Sequence, residues 1–581
     1  MTKTQDKAGT AGRDKTTGGD VVVACLAAMG VRFVFGVPGG QTLAITDGIL
    51  RAPDMRFVTT RHEGAAACMA DAIGRMTGEP GVCIATTGPG ATNLLTGIGG
   101  ALRDSSPVIA ITCNNRLGDL DRDDAQGADH VALFRPLVKW ARLVVSARTI
   151  PQVMEEAYLQ ATTGCPGPVL VDFARDVIES EVDAALLARA GGAAAVRTLR
   201  AAGPSADPAR VIEAVDCLRS ARRPALWLGN GAKLADAGAE ALRLAEALDA
   251  PVITTFNGIG AVPTTHPLVY GALSRMGTEL SSRVIADTDV VIAVGNSLNA
   301  ISTARWSLKL PPKIIQVDVD PTVIGRYYAA ETLGIVGDAR KTLATLADAL
   351  GDAPPANEVA VARRERLEHL AGARERWWTS SEAGTPAQPG RIAPDVAVRV
   401  TRGVVPDEAM AIFDAGNPGV WSYLWEIRKA GTYMKPVGYG NMGFAVPAAI
   451  AARLQHPETP VVAFVGDGSL GMTLGELETV AREKLPMCIV VMNDCGYGNI
   501  RQEQILHFDG RTIGVDLTDV DFAAIARACG MQGVRATTPE ALAEAVAAAL
   551  ASGEPWLVDA AIDPGVNAWT YPLFKRYQAE G

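Results

Sequence analysis

Short, continuous apolar runs bounded by Gly or Asp recur along the chain and alternate with Ala/Leu-rich stretches of helical spacing. They lie at 31–38, 81–88, 106–114 and 167–173, then at 224–231, 250–256, 289–297 and 313–320, and finally at 460–468, 487–494 and 555–562. A strand with one wet face alternates polar and apolar residues. Unbroken runs are buried on both faces, so these predict mainly parallel sheets covered by helices. The periodicity lapses at about 180–207, which closes on Gly-Pro-Ser-Ala-Asp-Pro, and again at 351–394, where Pro-rich ends flank a charged stretch containing Trp377 and Trp378. These breaks read as interdomain connections, although the charged middle of the second has the composition of a surface helix. Three consecutive α/β domains follow, at 20–185, 205–350 and 395–581, with a linker at 351–394 and a polar tail at 1–19 expected to be disordered. In open parallel sheets ligands sit beyond the carboxyl ends of the strands, so the residues after each run carry the functional information.

Composition narrows the class. With 581 residues, 48% hydrophobic and 20% charged, the chain is neither disordered, collagen-like nor a small disulfide scaffold. A net charge of −10 with no basic run makes a nucleic-acid partner unexpected. The nine cysteines are scattered and never spaced as CxxC, as expected of reduced thiols in a cytoplasmic protein. No apolar run reaches the roughly 18 residues of a membrane span, and the first 20 residues hold no apolar signal region.

The richest stretch is Gly466-Asp467-Gly468-Ser469-Leu470-Gly471. It follows a strand and precedes a helix and a second strand, a unit that presents backbone N–H groups to phosphate. It matches GxGxxG, and Asp494 ends the next strand where a ribose-binding acid would stand, so a dinucleotide site is one reading. Against it, the Asp467 carboxylate would repel a pyrophosphate unless a cation lay between them. Mg²⁺ is commonly held by one or two carboxylates plus phosphate oxygens, and Asp467 with Asp494 supplies such a pair. Two ordinary strand-end turns with solvated acids are the third reading.

The spacing of Gly-Asp-Gly-Ser to Asn493-Asp494, before a Gly-Tyr-Gly turn, resembles the thiamine-diphosphate motif. With Phe-Gly-Val-Pro-Gly-Gly at 35–40, the stretch 60–78 around Glu63 and the Gly-rich stretch 85–112, the chain from about 20 to 570 is similar to the acetolactate synthase and benzoylformate decarboxylase superfamily, closest in pattern to acetolactate synthase large subunits. The resemblance implies a pyrimidine-binding domain first, a central domain, and a diphosphate-binding domain last. It implies thiamine diphosphate and Mg²⁺ as cofactors, held between the first domain of one subunit and the last of another in a homodimer, commonly a tetramer. It assigns Glu63 as the cofactor-activating acid, which on its own reads as a strand-end acid opening a helix. It assigns Asp467, Asp494 and the Gly496 carbonyl to the metal, and Gly416, Asn417, Gly440, Gly468, Ser469, Gly496 and Tyr497 to the cofactor. Met442 falls where the family places an apolar wedge under it, though a Met there is otherwise ordinary core filler. Asp494 departs from the usual second Asn of an Asn-Asn pair.

The same alignment bears on the reaction. None of the histidines at 62, 130, 266, 369, 456 and 507 falls at a proton-relay position of the simple 2-oxo acid decarboxylases; the benzoylformate one corresponds to about Thr86. Ile500, Gln126 and the turn at Gly39-Gly40 match acetolactate synthase. The expectation is a carboligase that decarboxylates a 2-oxo acid and transfers the acyl unit to a second carbonyl compound. A plain decarboxylase, a 2-hydroxyacyl lyase and a degenerate regulatory or binding subunit are the alternatives. Ala125 and Glu503 replace aromatic residues of the synthase, which predicts a wider, more polar acceptor pocket touched by Gly40, Arg501 and Glu503. A flavin, FAD, is compatible with the surviving Met276-Gly277-Thr278 but is not expected, because Gly295–Asn299 lacks the family's arginine.

Overall fold

A computed structural model describes residues 15–200, 203–351, 355–382 and 384–576. It contains three six-stranded sheets, each parallel throughout. In the first, the spatial order is Arg56–Thr59, Phe33–Gly36, Gly81–Ala85, Val108–Asn114, Pro168–Ala174, Trp140–Val144. The second runs Thr332–Val336, Lys313–Asp318, Val290–Val294, Pro224–Leu228, Val252–Thr255, Val269–Leu273. The third runs Tyr433–Met434, Met410–Phe413, Val461–Gly466, Cys488–Asn493, Trp556–Ala561, Gln532–Ala536. Every apolar run of the sequence is an inner strand. The six edge strands and the inner Met410–Phe413 were not foreseen, because edges such as Arg56–Thr59 and Gln532–Ala536 are only partly buried and break the apolar run. A short antiparallel pair, Met276–Thr278 with Phe574–Arg576, stitches the central domain to the end of the chain.

The domain limits differ from those read off the sequence. Most of the expected tail, 1–14, lies outside the described residues, but Gly18–Ala28 is a helix packed in the first core, and Thr17 bridges to Glu181. Residues 184–200, taken partly as a connection, form helices whose Leu186, Ala190, Ala193 and Val196 join that same core. In the second break, Asn357–Glu382 is a docked helix rather than a linker. Its buried Arg363 donates to the carbonyls of Leu218 and Ala221, capping the end of the helix Pro208–Ser220, and Arg366 donates to Pro224 O and Thr288 Oγ1. These two of the charges that made this stretch look solvated serve backbone carbonyls instead, while most of the others are exposed. No helix among the described residues is long and apolar enough to cross a membrane.

The first and last domains share one hydrophobic core, with the helix Glu63–Thr77 packed on Ala445–Gln455 through small residues on both faces. At the junction of all three domains sits Asp104. Its carboxylate accepts from Arg75 Nη2 at 2.8 Å, Asn257 Nδ2 at 2.8 Å, and the Val437 and Gly438 N–H groups at 3.0 and 2.6 Å, and its carbonyl accepts from Asn230 Nδ2. Arg75 also forks onto Asp71 and lies over the Phe444 ring. Removing one member of a buried ion network strands the others, so Arg75→Met should lower the stability of the fold by about 3–5 kcal/mol, read from the midpoint of urea unfolding. A shift below about 1 kcal/mol would mean that Asp71 and Asp104 find protons or water instead.

Candidate active site

In the third sheet the order reverses direction between Met410–Phe413 and Val461–Gly466. Beyond the carboxyl ends of these strands lies a cavity of about 210 Å³, at the point where open α/β sheets bind ligands. The neighbouring strands pair Gly466 with Met492, so the turns that follow them bring Asp467 and Asp494 side by side. Asp467 accepts the Gly496 N–H at 2.8 Å. Asp494 is buried and takes the Asn417 side-chain amide, and its carboxyl lies within hydrogen-bonding reach of Asp467. A Cβ on Gly498 would collide with Asp494 Oδ2, so only glycine lets the chain turn so tightly around this acid. Burial, and then the facing charge of Asp467, push Asp494 up to about 7; burial raises Asp467 as well. Asn417 Oδ1 and Asn499 Oδ1, both from residues lining the cavity, are buried with no hydrogen-bond partner.

Two facing carboxylates with an orphaned amide oxygen beside them are oxygen donors without a cation, and they fit a hard divalent ion such as Mg²⁺. Gly416, Asn417, Gly440, Met442, Gly468, Ser469, Gly496, Tyr497 and Ile500 line the same cavity. Gly416 and Gly440 adopt φ of 75° and 66°, left-handed turns that aim the backbone at it. Ser469 bonds to Asp414, a residue not singled out in the sequence. Buried beneath the site and pushed up to about 6 by that burial, Asp414 accepts the N–H groups of Ala415, Gly443 and Ala445 and so ties two lining loops together. An acid at a strand end followed by Gly-Asn-Pro-Gly was the available signal.

Arg501 does not face the cavity as a substrate ligand. It folds back under the acid turn, donating to the carbonyls of Asp494 and Cys495 at 3.2 and 2.8 Å and to Asp516 at 3.1 Å, because two strand-end carbonyls offer it a buried fork. Glu503 lies one helical turn beyond Asn499 and Ile500, outside the cavity lining.

A second cluster gathers on the first domain. Glu63 opens its helix, buried, and its Oε2 accepts from Asn93 Nδ2 at 2.9 Å. Gly90 lies against both Glu63 and Thr86, and Gly39 against Thr86, while Gly40 faces open space. Gln126 sits on an exposed turn at φ 61°, its carbonyl accepting from Thr87 Oγ1. Beneath this turn the buried His130 accepts the Gly88 N–H on Nε2 and meets Asp172 through Nδ1, so the Nδ1 hydrogen is fixed on the acid. None of Glu63, Gln126 or Gly40 lines the cavity of the last domain. The loop before Glu63 is tied to the last domain by Glu476, which the sequence did not flag and which lies outside the cavity lining; it accepts the Arg61 and His62 N–H groups at 2.9 and 3.2 Å.

The three domains match the family descriptions for thiamine pyrophosphate enzymes: the N-terminal TPP binding domain over 16–133, the central domain over 211–346 and the C-terminal TPP binding domain over 414–560. The probable acetolactate synthase large subunit of Methanocaldococcus jannaschii is 33% identical over 94% of this chain and 92% of its own. This chain belongs to the thiamine pyrophosphate enzyme family. The acetolactate synthase large subunit of Corynebacterium glutamicum is 33% identical over 96% of this chain and 88% of its own. Isozyme 3 of Escherichia coli K12 is 31% identical over 92% of each. The protein is thus a thiamine-diphosphate-dependent enzyme, similar along most of its length to acetolactate synthase large subunits.

The two segments weighed for a flavin are engaged within the chain. Met276–Thr278 is the strand paired with Phe574–Arg576, and Asn299 closes its own turn by accepting the N–H groups of Ile301 and Ser302.

The acid pair makes the cofactor-free protein sensitive to pH. Asp494 titrates near 7 in the folded chain and near the ordinary 3.8 when unfolded, so its carboxylate form weakens the fold as pH rises from about 4 to 7. Without metal or cofactor, Asp494→Asn should melt above wild type at pH 8, with the gap closing toward pH 4. A gap that does not change with pH in thermal melts would show that the facing charges are relieved another way.

Proposed function

We propose that the enzyme is a carboligase: it decarboxylates a 2-oxo acid and joins the acyl unit to a second carbonyl compound. The observation that carries this is the composition of the cavity wall, where the aliphatic Ile500 stands and no imidazole is found among the described lining residues. Thr86, against Gly90 as Glu63 is, likewise offers no relay base: its hydroxyl donates to Gln41. Bound thiamine diphosphate supplies a nucleophilic carbon and a sink for the electron pair left by CO₂.

This chain's residues do the rest. Asp467, Asp494 and the Gly496 carbonyl hold Mg²⁺ against the diphosphate, with Gly416, Asn417, Gly468 and Tyr497 lining its berth. Met442, half-buried at the cavity edge, supports the cofactor from below. The buried Glu63 holds a proton for the cofactor's pyrimidine and thereby raises the basicity of the group that deprotonates its reactive carbon. Gln126 and Gly40 reach the substrates from the first domain. With no donor of a proton to the acyl carbon in the wall, the wall would leave that carbon to an acceptor's carbonyl carbon, and the oxygen of that carbonyl would take its proton from water. Because the first-domain cluster and the last-domain cavity are separate in one chain, the complete site is formed between two copies, making at least a homodimer.

Supplied with pyruvate and an aldehyde or 2-oxo acid acceptor, the holoenzyme should form a 2-hydroxy ketone faster than free aldehyde. Free aldehyde alone with every acceptor would establish the decarboxylase reading. Glu63→Gln should keep thiamine diphosphate bound yet slow deuterium exchange of its reactive C–H by about 10²- to 10⁴-fold; exchange at the wild-type rate would place the base elsewhere. Asp467→Ala should abolish Mg²⁺-dependent cofactor binding, while Asp494→Asn, which keeps an oxygen ligand, should retain it in calorimetric titration. Equal losses would give the Asp494 charge a further role.

A further inference from the structure

Side chains of two domains meet where the helix Gly498–His507 leaves the cavity. Asn499 and Ile500 line the cavity, and Glu503 follows them at the spacing that places residues on one helix face. One Glu503 oxygen accepts from Arg275 Nη2 of the central domain at 3.3 Å, and the other meets His507 Nε2 at 3.1 Å. The Arg275 guanidinium lies over the Trp569 ring, 5.3 Å from its centre. Gln502 fixes that ring's turn to the helix: its Nε2 donates to Val566 O at 3.2 Å, and its Oε1 accepts the Ala568 N–H at 3.3 Å.

Arg275 is half-exposed. An aromatic face and a carboxylate at Nη2 hold it in place, and Nη2 is the one guanidinium nitrogen that Glu503 takes. Both oxygens of Glu503 are engaged, so the patch offers hydrogen-bond donors with positive charge. Such a surface favours an anionic oxygen group over an alkyl chain or a hydroxyl donor. Its place matters as much as its charge. It lies one helical turn, about 5.4 Å, beyond the cavity-lining residues, which puts the anionic group a few carbons from a carbonyl reacting inside the cavity. Arg501, the other guanidinium of this region, is spent on Asp516 and two backbone carbonyls.

We propose that Arg275, braced by Trp569 and Glu503, is a specificity-determining residue that binds a carboxylate carried by the acceptor two or three carbons from its reacting carbonyl. This rests on the carboligation reading and names the acceptor class. The test offers the holoenzyme pyruvate with 4-oxobutanoate and butanal in competition, two aldehydes of equal chain length that differ by the carboxylate. Wild type should favour 4-oxobutanoate by roughly 10- to 100-fold, the value of a charge-assisted hydrogen bond. Arg275→Met should lose most of that preference and Arg275→Lys retain part of it. No preference in wild type, or an unchanged preference in Arg275→Met, overturns the proposal. Should the holoenzyme release only free aldehyde, the reaction assignment fails, and binding of 4-hydroxybutanoate to the cofactor-loaded enzyme decides the role of Arg275. Roughly tenfold weaker binding by Arg275→Met in calorimetry supports it, whereas equal affinity, or no binding by wild type, overturns it.

Discussion

One carboxylate, Asp104, is bonded to all three domains. It lies at the end of a first-domain helix, accepts two backbone N–H groups from the last domain and an amide from the central domain, and takes its counter-charge from Arg75. Each domain is a parallel sheet with its own buried strands, so nothing within a sheet dictates how the sheets face one another. That geometry is set by the shared core of the helices Glu63–Thr77 and Ala445–Gln455, and by these directional bonds to one buried acid. Because hydrogen bonds are specific in distance and angle where apolar contact is not, Asp104 fixes the docking angle while the core supplies most of the attraction.

The consequence reaches the site through backbone. Val437 and Gly438, held by Asp104, lead directly into Gly440 and Met442 at the cavity edge. Asp414 grips the same segment from below through Gly443 and Ala445. Two buried acids, both satisfied by N–H groups, therefore clamp the loop that carries the apolar support, while a third and a fourth, Asp467 and Asp494, are left facing each other. The contrast is informative. Where a carboxylate braces the backbone its lone pairs are taken up by donors, and where carboxylates face each other with an orphaned Asn417 oxygen nearby, the donor set suits a cation.

What could be read from the sequence follows from burial. The inner strands, covered on both faces, were visible as unbroken apolar runs except the short Met410–Phe413; edge strands mix exposed and buried positions, and the Arg56–Thr59 and Trp140–Val144 strands carry no such run. That the Gly-Asp-Gly-Ser turn and Asp494 come together was legible because both stand at the ends of adjacent parallel strands at a fixed spacing. Asp104 and Glu476 were not, since an acid that binds backbone N–H groups of a distant segment leaves no local pattern, whereas the turn after Asp414 offered a signal that was not followed to the acid itself. The partners of Arg501 were not legible for a related reason: a guanidinium beside a site looks like a ligand, and only the fold shows that it donates to the carbonyls of Asp494 and Cys495.

The helix Gly498–His507 draws these threads together. Its first residue must be glycine to clear Asp494, its fifth binds the turn before Trp569, and its sixth reaches the central domain through Arg275. No central-domain residue lines the cavity among those described, so this ion pair is a direct link from that domain to the helix that forms one wall. A domain that contributes no residue to this cavity is freer to diverge than the two that build it. On the carboligation reading, what it presents beside the helix would bear on which second substrate approaches, and an Arg there would select by charge, where an aromatic or aliphatic residue would select by shape.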